Sequence, residues 1–207
     1  MSSKKYFTIG LALMTALLMC SCGSEESGEQ SSKAAAPVGD SVAQTEQPAA
    51  QEVQEDEQLY RSLKSFTATT LEGAEIDESE LARADVTVIN IWSTTCGPCL
   101  DEMDELSDFE RSLPDNVKLM TWCLDGFYNT DYAKDIIYDA EFDGITLIDG
   151  TGDLASLGGR IMYTPTTVFV DHEGNITTEP IIGAGNISEG YTEKINELLT
   201  AQGKDTI

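Results

Sequence analysis

The chain has 207 residues, with 37 acidic against 12 basic and a formal net charge of −25. So large an acidic excess repels polyanions, which excludes nucleic acid and electrostatic adhesion to anionic lipid as partners. The length and a hydrophobic fraction of 41% suit one ordinary domain with additional segments.

At the start, Lys4 and Lys5 precede the apolar run YFTIGLALMTALLM, and CSCGSEE follows. A basic end and an apolar core of roughly a dozen residues fit a secretory signal; a membrane-spanning helix needs about 20. The run ends on cysteines, which resembles a bacterial lipobox, where the cut precedes a cysteine that is then lipidated. Ser21 before Cys22 suits the cut better than Met19 before Cys20. Residues 1–21 are therefore expected to be the signal and Cys22 the lipidation site. This places the protein outside the cytoplasm, anchored by lipid to a bacterial membrane, where disulfides are permitted. Residues 22–60 are rich in Ser, Gln, Glu, Ala, Gly and Pro, with Tyr60 as the sole aromatic. Such a segment buries too little apolar area to offset its ordering entropy. It predicts a disordered acidic tether with an r.m.s. span of roughly 35 Å, although QEVQEDEQLYRSL also fits a short amphipathic helix. The folded domain is assigned to residues 61–207.

Within that domain, SFTATT and LEGAEID read as a hairpin turning at Glu72–Gly73, and ESELARA as a short helix. VTVINIW is β-branched and apolar except at Thr87 and Asn90, the pattern of a central strand buried on both faces. Leu100, Met103, Leu106, Phe109 and Leu113 trace one apolar face of a helix stopped by Pro114. VKLMTWC predicts a second buried strand, TDYAKDIIYDAEF a helix capped by Thr or Asp, ITLID a strand, and DLASLGG a short helix ending at glycines. PTTVFVD, the turn HEGN and ITTEPIIG read as a hairpin, and SEGYTEKINELLT as a last helix opened by Ser188. Strands alternating with helices predict an α/β fold: a mostly parallel core sheet with helices on both faces, and the closing hairpin as an antiparallel edge.

On this map TTCGPCLDE, residues 94–102, falls between a central strand and a helix start. Cys-x-x-Cys serves a redox couple, a structural staple or half of a metal clamp. A staple across two residues closes so small a loop that it removes little unfolded-state entropy. Tetrahedral zinc needs four ligands, and the domain offers only Cys123 and His172 besides, on separate elements. Ligands of α/β sheets lie at the carboxyl ends of strands, and the unpaired N–H groups of a helix start favour a thiolate on Cys96. Position therefore selects the redox couple, with no cofactor and no metal. Cys123 reads as a core thiol and His172 as a solvated turn residue.

VINIWSTTCGPCLDEM resembles the active-site segment of the thioredoxin superfamily, in particular its TlpA/ResA-like branch of exported thiol-disulfide oxidoreductases. The resemblance extends from about residue 62 to 200. It implies a thioredoxin-like fold with an N-terminal hairpin extension and a central insert near 129–148. It further implies Cys96 as nucleophile, Cys99 as resolving cysteine, and Glu102 as an acid of the site. TPTTVFVDHEGNI resembles the segment that places a cis-proline opposite the cysteines, implying cis Pro165 and a substrate-docking backbone at Thr164. Trp92 matches an upstream aromatic position, and Asn90 stands where cytoplasmic thioredoxins often have a buried acid. Two positions depart from the pattern: Thr95 replaces the usual Trp before the first cysteine, and Asp104 stands where the branch often has Pro.

Glu102 has two readings: one more solvated acid beside Asp101, Asp104, Glu105, Asp108 and Glu110, or a partly buried group that shuttles the resolving thiol's proton. Nearby carboxylates disfavour a thiolate, which leans toward a reductant, and the CGPC spacer, by its resemblance to reducing thioredoxins, implies the same direction. The expected partners are disulfide-containing exported proteins and, by resemblance, a membrane electron donor of CcdA/DsbD type, with the chain a monomer. A peroxiredoxin-type peroxidase is the competing enzyme: Ser93 fits its pattern before the cysteine, but Ile89 stands where its Pro belongs. A metal- or solute-carrying lipoprotein is the non-enzymatic alternative.

Overall fold

A computed structural model describes residues 62–207. The expected signal at 1–21, the lipidation site Cys22 and the tether at 22–60 lie outside the described residues.

The fold is organised by β3 (Val86–Trp92), all seven of whose residues are buried. Successive side chains of a strand point to opposite faces. Val86, Val88 and Trp92 accordingly enter one core cluster, and Ile89 and Ile91 the other. β4 (Val117–Cys123) pairs with β3 in parallel along its whole length, from Val86↔Val117 to Trp92↔Cys123. On the other side β6 (Thr166–Asp171) pairs with β3 antiparallel. β5 (Thr146–Gly150) joins β4 in parallel, β1 (Thr67–Thr70) joins β5 antiparallel, and the hairpin partner β2 (Glu75–Asp77) and short β7 (Ile181–Ile182) form the two edges. The result is a seven-stranded mixed sheet in the order β2-β1-β5-β4-β3-β6-β7. Parallel pairing is confined to β3–β4 and β4–β5, so the sheet is less parallel than strand–helix alternation predicts.

Helices cover both faces. α1 (Gly97–Asp101) and α2 (Met103–Ser112) follow β3, with Met103, Leu106 and Phe109 of α2 in the first cluster. α3 (Thr130–Asp139) and α5 (Thr192–Ala201) add Ala133, Ile137, Ile195, Leu198 and Leu199 to that side. The second cluster is closed by Leu154 and Leu157 of α4 (Gly152–Gly158), by Leu81 of a 3₁₀ helix (Glu78–Arg83), and by Leu63 and Phe66. Each of these side chains contributes about 1.5–3 kcal/mol by leaving water.

Four local readings are corrected. The helix expected through Leu100–Leu113 is two helices meeting at Glu102, although it ends before Pro114 as expected. ESELARA is 3₁₀ rather than α, opened by Asp77, whose carboxylate accepts from Ser79 N–H. The strand after the HEGN turn does not run on from Ile176. A lone bridge, Val170↔Ile176, precedes a departure, and pairing resumes at Ile181–Ile182 against Thr166–Thr167. Pro180, which has no N–H to give a ladder, lies in the excursion. Finally, the last helix does not open at Ser188. It begins as a π-helical turn, Ile187–Tyr191, after left-handed Asn186.

The N-terminal hairpin is fastened to α4 through backbone: Lys64 and Ser65 N–H groups donate to the Asp153 carboxylate, and Asp153 N–H donates to Ser65 C=O. Gly152 turns β5 into α4 at φ +62°, and a Cβ there would strike the Ser65 carbonyl oxygen. Gly152→Ala is expected to lower stability by about 1–3 kcal/mol, read as a fall in urea midpoint with an unchanged slope.

Candidate active site

β3 ends at Trp92, and the chain passes through Ser93–Thr95 to Cys96, which has extended backbone and caps α1. Pro98 fits the first turn because N–H groups there have no helical acceptor. Cys96 and Cys99 form a disulfide with Cα atoms 5.3 Å apart. The two sulfurs are not equivalent: Cys99 is fully buried, whereas Cys96 is half-buried and its neighbours Thr95, Gly97 and Pro98 are exposed. The Cys99 N–H points at Cys96 Sγ at 3.3 Å. On reduction that donor stabilises negative charge on the exposed sulfur. Since α1 has only five residues, this local donor, rather than the macrodipole of a long helix, supports a thiolate.

Asp125, at the carboxyl end of β4, holds the approach to Cys96. Its carboxylate accepts from Thr94 N–H at 2.8 Å and from Thr94 Oγ1 at 2.6 Å, and also from the Cys123 thiol at 3.2 Å and Asn129 Nδ2 at 3.1 Å. Burial raises the Asp125 carboxyl, but the Thr94 and Cys123 donors outweigh it and keep it below the ordinary carboxylate range. Burial, the hydrogen bond to Asp125 and its charge push the Cys123 thiol far above the usual thiol range. Cys123 is thus an inert core thiol, as its place on a buried strand predicts.

Glu102 is the acid the flank conceals. Asp101, Asp104, Glu105 and Asp108 are exposed, whereas Glu102 is 5% exposed at the break between α1 and α2. Its Oε1 accepts from Asn90 Nδ2 at 3.0 Å, and its Oε2 from Gly185 N–H at 3.2 Å. Burial raises the Glu102 carboxyl above its ordinary value; the Asn90 and Gly185 donors oppose this, and Glu105 adds to it. Asn90 Nδ2 also faces Thr167 Oγ1 at 3.1 Å and Tyr191 Oη at 3.2 Å, and those two hydroxyls lie 2.6 Å apart. Burial pushes the Tyr191 phenol up to about 12, so it stays neutral. The Tyr191 ring is held edge-on by Phe109 and Phe169.

The Thr164–Pro165 peptide bond is cis. Pro165 is buried, and its carbonyl accepts from Gly183 N–H at 2.8 Å. Among the described residues neither backbone group of Thr164 has a hydrogen-bond partner. The other candidate metal ligand, His172, shares its Nδ1 with Gln202 Oε1 at 2.8 Å. Among the described residues no group of three or more His, Cys, Asp and Glu side chains is arranged to hold a metal ion.

Sequence reasoning missed Asp125, Thr94, Thr167 and Tyr191. Asp125 had a usable signal, since it follows a central strand at the carboxyl edge where α/β sheets build sites. Tyr191 had none, because the π-helical turn that aims its hydroxyl at Asn90 has no mark in the periodicity.

A family model described as redoxin matches residues 47–186, beginning inside the segment whose composition reads as tether. No curated protein matches the chain. Among solved structures, the chain is similar to a secreted disulfide oxidoreductase of Mycobacterium tuberculosis described as homologous to E. coli DsbE, at 21% identity, over 70% of this chain and 98% of that one, with a TM-score of 0.51. A thiol:disulfide interchange protein of Chlorobium tepidum is similar at 18% identity, over 60% and 86%, with a TM-score of 0.50. The thioredoxin domain of a Bacteroides vulgatus thiol-disulfide oxidoreductase is similar at 16% identity, over 64% and 94%, with a TM-score of 0.51. These likenesses establish the thioredoxin-like fold.

The raised Glu102 carboxyl sets a pH dependence with a definite sign. An acid whose native pKa lies above its unfolded value contributes stability that is complete below the unfolded value and is lost as pH rises through the native one. Glu102→Gln removes that titration. Urea unfolding at about pH 4 and about pH 8 should show the variant gaining on the wild type as pH rises; the opposite trend would mean that the Asn90 and Gly185 donors outweigh burial.

Proposed function

The chain belongs to the redoxin family and is a thiol-disulfide oxidoreductase, and from that premise we propose a narrower role: a disulfide reductase held at the extracytoplasmic face of a bacterial membrane by lipid on Cys22. The observation that supports the chemistry most directly is the asymmetry of the pair, with Cys96 reachable and Cys99 enclosed.

The reduced protein starts with a Cys96 thiolate, whose proton has gone to solvent, and a Cys99 thiol. The thiolate attacks one sulfur of a client disulfide; the Cys96–client bond forms, the client S–S bond breaks, and the departing client thiolate takes a proton from solvent. Glu102, three residues past Cys99, accepts the Cys99 proton, and the S–H electron pair attacks Cys96 Sγ. The mixed disulfide breaks, the Cys96–Cys99 bond forms, and the second client thiolate leaves with the proton held by Glu102. Two electrons and two protons have moved from this protein to the client. The open backbone of Thr164 supports strand-like pairing with the client beside the disulfide.

The direction rests on charge. The exposed acids around α2 disfavour a thiolate-rich reduced state of the strongly oxidising kind, although each is screened over about 8 Å at physiological salt. Clients are disulfide-containing exported proteins with neutral or basic docking faces. Each turnover leaves the pair oxidised, so a membrane dithiol donor of CcdA/DsbD type re-reduces it, acting on a monomer.

Replacing both Cys96 and Cys99 with Ser should abolish insulin reduction, and Cys99→Ser alone should accumulate a mixed disulfide visible on a non-reducing gel; retained turnover in the double variant overturns the reading. For the anchor, Cys22→Ala should lose fatty-acid labelling and move from the membrane to the soluble extracytoplasmic fraction. Unchanged labelling would move the lipid elsewhere.

A further inference from the structure

Asn90 is fully buried in the middle of β3, and its two amide ends are treated unequally. The nitrogen faces three oxygens: Glu102 Oε1, Thr167 Oγ1 and Tyr191 Oη. Among the described residues the oxygen, Oδ1, has no partner. An amide nitrogen has two hydrogens to give, so three acceptors on it and none of the donors on Oδ1 is a lopsided arrangement. A buried unpartnered polar atom asks for an explanation.

The explanation lies in what surrounds the carboxylate. Both Glu102 oxygens meet donors, Asn90 Nδ2 and Gly185 N–H. That arrangement suits an ionised Glu102, and among the described residues both of its oxygens face donors, not an acceptor for the O–H of a protonated one. The terminal torsion of Asn is soft and nearly two-fold, so a turn of about 180° exchanges Nδ2 and Oδ1 within the same shape. The other two neighbours of Nδ2 are hydroxyls, which donate as readily as they accept. After the turn, Oδ1 accepts from Glu102 O–H and from Thr167 or Tyr191.

We propose that Asn90 is a positioning residue that reads the proton on Glu102, presenting its amide N–H to the carboxylate and its amide oxygen to the carboxylic acid. This rests on the reading of Glu102 as acceptor of the Cys99 proton. The step balances without any further reactant: the Cys99 S–H bond breaks, Glu102 O–H forms, and the electron pair stays on sulfur. In the turned state the NH₂ group occupies the place where Oδ1 found no partner, so that state is the less satisfied of the two. Asn90 thereby lets Glu102 take the proton and favours its release, the behaviour of a shuttle rather than a store. The titratable groups facing Glu102 are Glu105 from α2, whose charge also favours the proton, and Tyr191 from the π-helical turn, which stays neutral. From β6 the Thr167 hydroxyl faces Asn90, and from the turn before Asn186 the Gly185 N–H faces Glu102.

The test is an NMR titration of the full-length chain, following the Glu102 carboxyl carbon and the Asn90 side-chain amide together. The expected result is one shared midpoint, with the Asn90 amide losing its pH response in Glu102→Gln. A Glu102 carboxyl that titrates beside a motionless Asn90 amide overturns the proposal. A kinetic arm uses Asn90→Leu, which removes a donor to the carboxylate: the acid limb of the resolving step should move to higher pH, equivalent to a roughly tenfold gain in proton affinity. An unshifted limb in a folded variant also overturns it. The two readings fail separately. If Glu102→Gln resolves mixed disulfides like the wild type at every pH, Glu102 is not the proton acceptor; if Glu102→Gln is impaired but the Asn90 amide never responds, only the role of Asn90 falls.

Discussion

A carboxylate removed from water must be met by donors or give up its charge, and the arrangement around Glu102 follows from that requirement. The donors come from far apart in sequence: Asn90 on β3 and Gly185 in the turn after β7. Bringing them together needs β3 beside β6, the two helices broken at Glu102, and the chain turned back after β7. Thr167 and Tyr191 then complete the neighbourhood of Asn90. The polar cluster lies within the same cluster of apolar side chains that holds the sheet and helices together, so the packing that stabilises the domain also orients Glu102 and Asn90.

The acidic character of the chain divides accordingly. Most carboxylates of α1 and α2 face solvent, where salt screens them and each contributes little. They set the general field that a client meets. Glu102 alone among Asp101–Asp108 is withdrawn from water, and burial gives it a proton affinity the others lack. Asp125 shows the opposite outcome from the same ingredients, because donors from Thr94 and Cys123 outweigh its burial. It serves as a structural anion that ties the β4 loop to the strand leading into the dithiol.

How much of this was legible depends on which interactions are local. The central strand VTVINIW, the redox pair at its end and the Pro114 stop were readable because hydrophobic pattern and punctuation act over a few residues. Whether Glu102 is solvated or buried could not be separated from sequence, since its period along the helix is shared with exposed acids; its burial depends on the break at Glu102 and on elements more than eighty residues away. Tyr191 and the displaced β7 were hidden for a related reason. A π-helical turn and a strand that leaves its hairpin and returns are responses to tertiary fit, and neither leaves a period. Cis Pro165 became an expectation through family resemblance, where composition alone favours trans.

The unequal exposure of the two cysteines has a kinetic consequence. Of the two, only Cys96 meets the surroundings, so in the proposed reaction the encounter with a client is second order and scales with client concentration. The reaction of Cys99 with the resulting mixed disulfide is unimolecular, governed by an effective molarity built into the fold. A scarce client therefore slows capture without slowing release, because the time a captured client stays attached does not depend on how much client is present.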